Sequence, residues 1–172
     1  MGIGGNHFIE GKYTPRSFRL SNKLYGEILD NIVVACVDVL IINAKGQILL
    51  GHRSQDPLRG WWLIGGRMLP GESLQEAACR KLREEIALTV CPSDVSVVSV
   101  NSFLFDKRAQ APIDHGCHML QVLTTVKVGQ PQGKLIAEYS ELGWFNPQEV
   151  CQNKTGCFHP FLIKILNDLG LA

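Results

Sequence analysis

The chain has 172 residues, 45% of them hydrophobic and 19% charged, with a formal charge of +1. That is enough apolar chain for one domain with a full core. Acids and bases nearly balance and no basic stripe appears, so nothing points to a long polyanionic partner and no nucleic-acid partner is expected. The run Ile32 to Ile42 is too short to span a bilayer and carries Asp38. Met1 to Gly11 lacks the apolar core of a signal peptide, so the expectation is a cytoplasmic protein with no membrane partner. The six cysteines (36, 79, 91, 117, 151 and 157) form no C-x-x-C pair and read as small buried or idle residues in a reducing compartment, with disulfides the lesser alternative.

In chain order, Met1 to Arg19 scatters Gly, Asn, Pro and basic residues and reads as an irregular leader to a single domain over 20–172. Leu20, Leu24 and Ile28, with Tyr25, predict a short helix. Ile32 to Asn43 predicts a strand buried on both faces, from its length and β-branched content. A turn at Ala44-Lys45-Gly46 leads to a second strand, Gln47 to His52. Asp38 is the odd residue in the first strand. A buried carboxylate without a partner is costly, so a cationic or hydrogen-bonding partner is expected. An internal ion pair and a role toward substrate weigh about equally.

Gly51-His52-Arg53 ends the second strand, and a polar loop reaches Gly60. Trp61 to Ile64 predicts a strand closed by Gly65 and Gly66. Its adjacent tryptophans point to opposite faces, one for the core and one toward a cleft. Arg67 follows the glycines, placed to grip phosphate oxygens with its guanidinium. Pro70-Gly71 makes a turn, and Ser73-x-x-Glu76 is a capping box that starts a helix. Leu74, Ala78 and Leu82, with Ala77 and Ile86, give that helix its buried face. Glu76, Arg80 and Glu84 fall four apart on another face, with Glu85 alongside. Carboxylates facing a loop of bare backbone suit a hard cation such as Mg2+.

Beyond this helix, Cys91-Pro92-Ser93-Asp94 breaks the chain, Val95 to Phe105 predicts a strand, and Asp106 to Asp114 a polar loop. Gly116 to Val128 predicts another strand, carrying His118 and Gln121. His115, Cys117 and His118 hint weakly at zinc, because 115 and 117 share one strand face and 118 takes the other. His118 follows the long loop, where active-site groups gather, and is a candidate base. Gln130 to Gly133 predicts a turn, Ala137 to Phe145 a strand, Asn146-Pro147 a helical turn and Phe158 to Leu169 an amphipathic helix. Alternating strands and helices imply an α/β layered fold.

The stretch from Gly66 to Leu88 resembles the Nudix box, G-x5-E-x7-R-E-U-x-E-E-x-G-U with U aliphatic. Gly66, Glu72, Arg80, Leu82, Glu84, Glu85 and Leu88 fit, while Lys81 and Ala87 replace a glutamate and a glycine. The resemblance implies an α/β/α sandwich on a mixed β-sheet, with the box helix carrying the metal. Leu20 to Asn43, GHRSQDPLRGWWLIGGRMLPGES and the strand with His118 look like the GDP-mannose mannosyl hydrolase branch. That likeness implies one Mg2+ on the diphosphate and water attack at the sugar's anomeric carbon, releasing GDP and free sugar.

Carried over by position, the metal set is the Gly66 carbonyl with Glu85, and Glu84 beside it. Asp38, Arg53 and Arg67 would bind substrate, Arg67 would also serve catalysis with Arg80 and Glu84, and His118 would be the general base. The sequence departs from the branch at Ile64, where a proline is usual, and in keeping Glu84. Near Cys117 no carboxylate stands ready for the metal, with Asp114 and Gln121 as candidates. Lys81 shares a helix face with Glu84 and Glu85, lowers the negative charge there and can pair with Glu85, which favours one metal over several. A conventional pyrophosphohydrolase and a non-catalytic nucleotide-binding module are the alternative readings. A homodimer is expected by analogy with related enzymes.

Overall fold

The computed structural model describes residues 5–15, 20–129 and 139–172. Residues 5–15 carry no helix or strand, and the turn expected at Gln130 to Gly133 lies outside the described residues. Helix α1 (Asn22–Asn31) begins at Ser21, whose hydroxyl accepts the Leu24 N–H at 3.2 Å. It buries Gly26 and Leu29, while Leu24 is exposed, so the buried stripe differs from the predicted Leu20–Leu24–Ile28 spacing.

Among the described residues seven strands form one mixed sheet: β1 (Val34–Asn43), β2 (Ile48–Arg53), β3 (Gly60–Trp62), β4 (Ile64–Arg67), β5 (Ser96–Phe105), β6 (Cys117–Val128) and β7 (Tyr139–Phe145). The order is β3-β2-β1-β6-β5, with β4 also paired to β1 and β7 to β2. Among the strand pairs of the described residues, β1 and β6 run parallel and the others run antiparallel. The single strand predicted over Trp61 to Ile64 is two. Residues 60–62 pair with β2, and the chain then changes partner at Leu63 so that 64–67 pair with β1. Gly65 and Gly66 therefore lie inside a strand instead of closing one.

The alternation of β1 divides the core. Val37, Val39 and Ile41 face helix α2 (Leu74–Ile86) and meet Ala77, Ala78, Leu82 and Ile86. Leu40, with Leu50 and Leu123, packs on the opposite side under α3 (Pro147–Gln152) and α4 (Pro160–Asp168), against Val150, Leu162 and Leu166. Helices thus cover both faces of the sheet. Asp38 falls in the same alternating set as Leu40 but one step toward the strand start, beside a smaller cluster of Leu29, Cys36 and Cys117 under α1. Where the α1 and α4 coverings part, the sheet face opens as a cleft.

Candidate active site

The cleft encloses about 180 Å³ and is lined by Asp38, Arg53, Gly66, Arg67, Trp62 and Gln121, among others. Asp38 is nearly buried. Its Oδ2 accepts hydrogen bonds from Gln121 Nε2 at 2.5 Å and Trp62 Nε1 at 3.1 Å. Burial pushes the Asp38 carboxyl up, and the Gln121 and Trp62 hydrogen bonds oppose that rise in part. The partner expected from sequence thus includes neutral donors. Trp62 both packs in the core, edge-on to Phe103 and His159, and reaches the cleft. Trp61, on the opposite strand face, stands edge-on to His52 and Phe145.

Two arginines, each at a strand end, line the cleft with Asp38. Arg53, at the end of β2, donates from Nε to the Leu58 carbonyl at 3.2 Å and lies over the Tyr139 ring. Arg67, at the end of β4, lies 4.8 Å from the centre of the Tyr25 ring, a cation–π contact that keeps the guanidinium at the cleft wall. Tyr25 had read only as part of a helix face. Gly65 permits the approach of these strands: a Cβ there would meet Asp38 Oδ1 at 2.1 Å and the Val37 carbonyl at 2.2 Å.

The box helix begins as predicted, with both arms of the Ser73–Glu76 capping box formed. Because Glu76 is held by Ser73, Arg80 does not bind it. Arg80 grips Glu72 with two nitrogens, donates to the Arg67 carbonyl at 3.0 Å and to Glu84 at 2.9 Å. Glu72 also accepts the Leu69 N–H at 2.7 Å. Burial acts to raise the Glu72 carboxyl, but Arg80 and Leu69 outweigh it and hold it below the usual range. Arg80 is thus a clasp that fixes the 67–72 loop, and with it Gly66 and Arg67, to α2. Glu84 is half-exposed and turned to this clasp.

Glu85 lies on the buried side. Lys81 pairs with its Oε1, and its Oε2 is buried without a partner. Gly66, at φ +148°, makes room for the lysine, since a Cβ there would fall 2.9 Å from Lys81 Cε. Among the described residues no three His, Cys, Asp or Glu side chains converge to hold an ion. The orphaned Glu85 oxygen beside a bare glycine backbone fits an ion that takes few protein ligands and completes its shell with substrate oxygens and water. The zinc hint at 115–118 finds no such cluster either.

The structure does not bring His118 to this cleft. Met119 and Gln121 line it, and His118, between them and Cys117, points to the other sheet face. Its Nε2 shares a 2.8 Å hydrogen bond with Ser102, and it edges a separate open recess with Asp30 and His115. Asp114 is exposed on the loop before β6. Arg108, which the sequence did not single out, is almost wholly buried. It donates to Asp30 at 2.7 Å and to the Gly116 and Gln110 carbonyls, and so holds the 106–116 loop whose Ala109 and Gln110 form part of the cleft rim. All six cysteines are free, and burial, then the Asp38 charge, pushes the Cys36 thiol up to about 12.

A profile of the NUDIX domain matches residues 34–169, and the chain belongs to that family. The low-salt glycan biosynthesis protein Agl8 of Haloferax volcanii is 28% identical over 130 residues, covering 75% of this chain and 81% of that protein. The MutT protein of Methanosarcina mazei Go1 has the same fold at a TM-score of 0.60 and 20% identity, over 81% of this chain and 96% of that one. A bifunctional NMN adenylyltransferase/ADP ribose pyrophosphatase of Francisella tularensis, solved with AMP and a Mn ion, matches at 0.59 and 18% identity. It covers 80% of this chain, which spans only 42% of that longer one. Among the described residues no helix is long and apolar enough to cross a membrane.

Proposed function

We propose that this Nudix hydrolase acts on a nucleoside diphosphate derivative, a nucleotide sugar of the GDP-mannose kind, releasing nucleoside diphosphate and free sugar through water attack at the glycosyl carbon. The observation that carries this reading is the single cleft holding Asp38, Arg53 and Arg67 around Gly66. Two guanidiniums at one wall suit a diphosphate leaving group. A carboxylate held by Gln121 and Trp62 suits hydroxyl recognition on a sugar. The likeness to a glycan biosynthesis protein adds support.

A divalent ion, Mg2+ in this reading, would be held by the Gly66 carbonyl and Glu85, and would supply charge neutralisation on the departing diphosphate. Arg53 and Arg67 orient that diphosphate. Arg80 acts through the loop it clasps and is a positioning residue. Glu84, engaged by Arg80, serves the clasp, and His118 is left with its bond to Ser102. The second reading, cleavage of the P–O–P link, draws on the ADP ribose pyrophosphatase fold likeness and on the retained Glu84 beside Glu85.

Incubation with GDP-mannose and GDP-glucose, with and without Mg2+, separates the two by chromatography of products. GDP and free sugar are expected. GMP and sugar phosphate would return the protein to pyrophosphohydrolase chemistry.

A further inference from the structure

Lys81 stands where the family pattern has a glutamate, and its ammonium lies against the carboxylate that would hold the divalent ion. It pairs with Glu85, and its stem packs against Gly66. Both side chains are largely out of solvent, at 12% and 8% exposure. The second Glu85 oxygen is buried and has no protein partner. The ammonium is also close enough to act on the Asp38 carboxylate across the Gly66 strand.

We infer that Lys81 is a built-in cation that holds the place of the divalent ion, so that the ion enters this site together with a diphosphate and not ahead of it. This rests on the hydrolase reading above and adds the order of assembly. In the free protein Lys81 and Glu85 sum to zero in a site mostly shielded from water. A bare divalent ion added there meets one carboxylate already neutralised and an ammonium at close range, in surroundings that screen charge poorly. A diphosphate brings negative charge on each phosphoryl group and removes that obstacle. The long flexible lysine stem then lets the ammonium pass from Glu85 to a phosphoryl oxygen, freeing both Glu85 oxygens for the ion.

The test is binding of Mn2+ alone, with no nucleotide, followed by loss of the free-ion signal in electron paramagnetic resonance. Wild type, Lys81→Met and the double variant Lys81→Met/Glu85→Gln are compared, with near-ultraviolet circular dichroism as the check on folding. Methionine keeps an unbranched stem against Gly66 and removes the charge. Lys81→Met is expected to bind Mn2+ at least tenfold more tightly than wild type, and the double variant to lose that gain. Equal or weaker binding by Lys81→Met, or a gain that survives Glu85→Gln, would overturn the inference. Should Lys81→Met not fold, Lys81→Gln makes the same comparison. The readout needs no turnover, so its failure leaves the product analysis to judge the hydrolase reading on its own, and the reverse holds.

Discussion

Removing the Arg80 guanidinium tests whether the box motif works as a clasp. Arg80→Ala strips the loop at 67–72 of its anchor: two donors to Glu72, one to the Arg67 carbonyl and one to Glu84. Glu72 is left as a charge with only the Leu69 N–H in place. Breaking a fully buried pair costs roughly 3–5 kcal/mol. At 14% and 16% side-chain exposure this pair is partly screened, so a loss of about 2–3 kcal/mol is expected. For a chain of this size that lowers the melting temperature by about 4–12 °C. A double-mutant cycle with Glu72→Ala should return a coupling of about 1–3 kcal/mol.

The coupling has a definite pH dependence. The folded-state pKa of Glu72 is depressed, so its stabilisation is present above the unfolded carboxylate pKa and fades as pH falls through the folded value. Denaturant melts of wild type and Arg80→Ala should therefore converge in acid. A coupling below about 0.5 kcal/mol, within the scatter expected of independent sites, or a stability gap that widens as pH falls, would refute the reasoning.

Three further outcomes follow from the geometry. His118→Ala should keep turnover near wild type, because the side chain faces away from the cleft; a loss of about 100-fold, the scale of a missing general base, would contradict this. Asp38→Asn should raise KM by roughly 10- to 100-fold, the worth of a hydrogen bond to a charged group. It should also flatten the pH dependence of stability: a raised folded pKa means that stability falls as pH rises from the unfolded value toward the folded one, and denaturant midpoints across pH would show that slope disappear. Ala87 sits at φ 54° at the end of α2, where Leu88 N–H reaches back to the Leu82 carbonyl at 3.1 Å. Ala87→Gly should relieve about 1 kcal/mol of left-handed strain, seen in calorimetry as a rise of about 2–4 °C.

What the sequence made legible was local. The α2 start was readable because Ser73 and Glu76 are three apart, and its buried face because Ala77, Ala78, Leu82 and Ile86 recur at helical spacing. The Lys81–Glu85 pair followed from the same spacing. Partners distant in the chain were not readable. Asp38 and Gln121 meet only because β1 and β6 pair in parallel across 83 residues. The break at Leu63 reflects a change of strand partner that no local pattern records. For His118, alternation separated it from Cys117, but which sheet face carries the cleft depends on where α1 and α4 stop covering β1. Arg108 gave no signal, being one charged residue in a polar loop whose burial comes from Asp30 and the loop's own carbonyls.

The central claim, attack at carbon, is tested most directly by running the reaction on GDP-mannose in oxygen-18 water and weighing the products by mass spectrometry. The account predicts the label in the free sugar and none in GDP. Label in a phosphate group of either product would place the attack at phosphorus and contradict it.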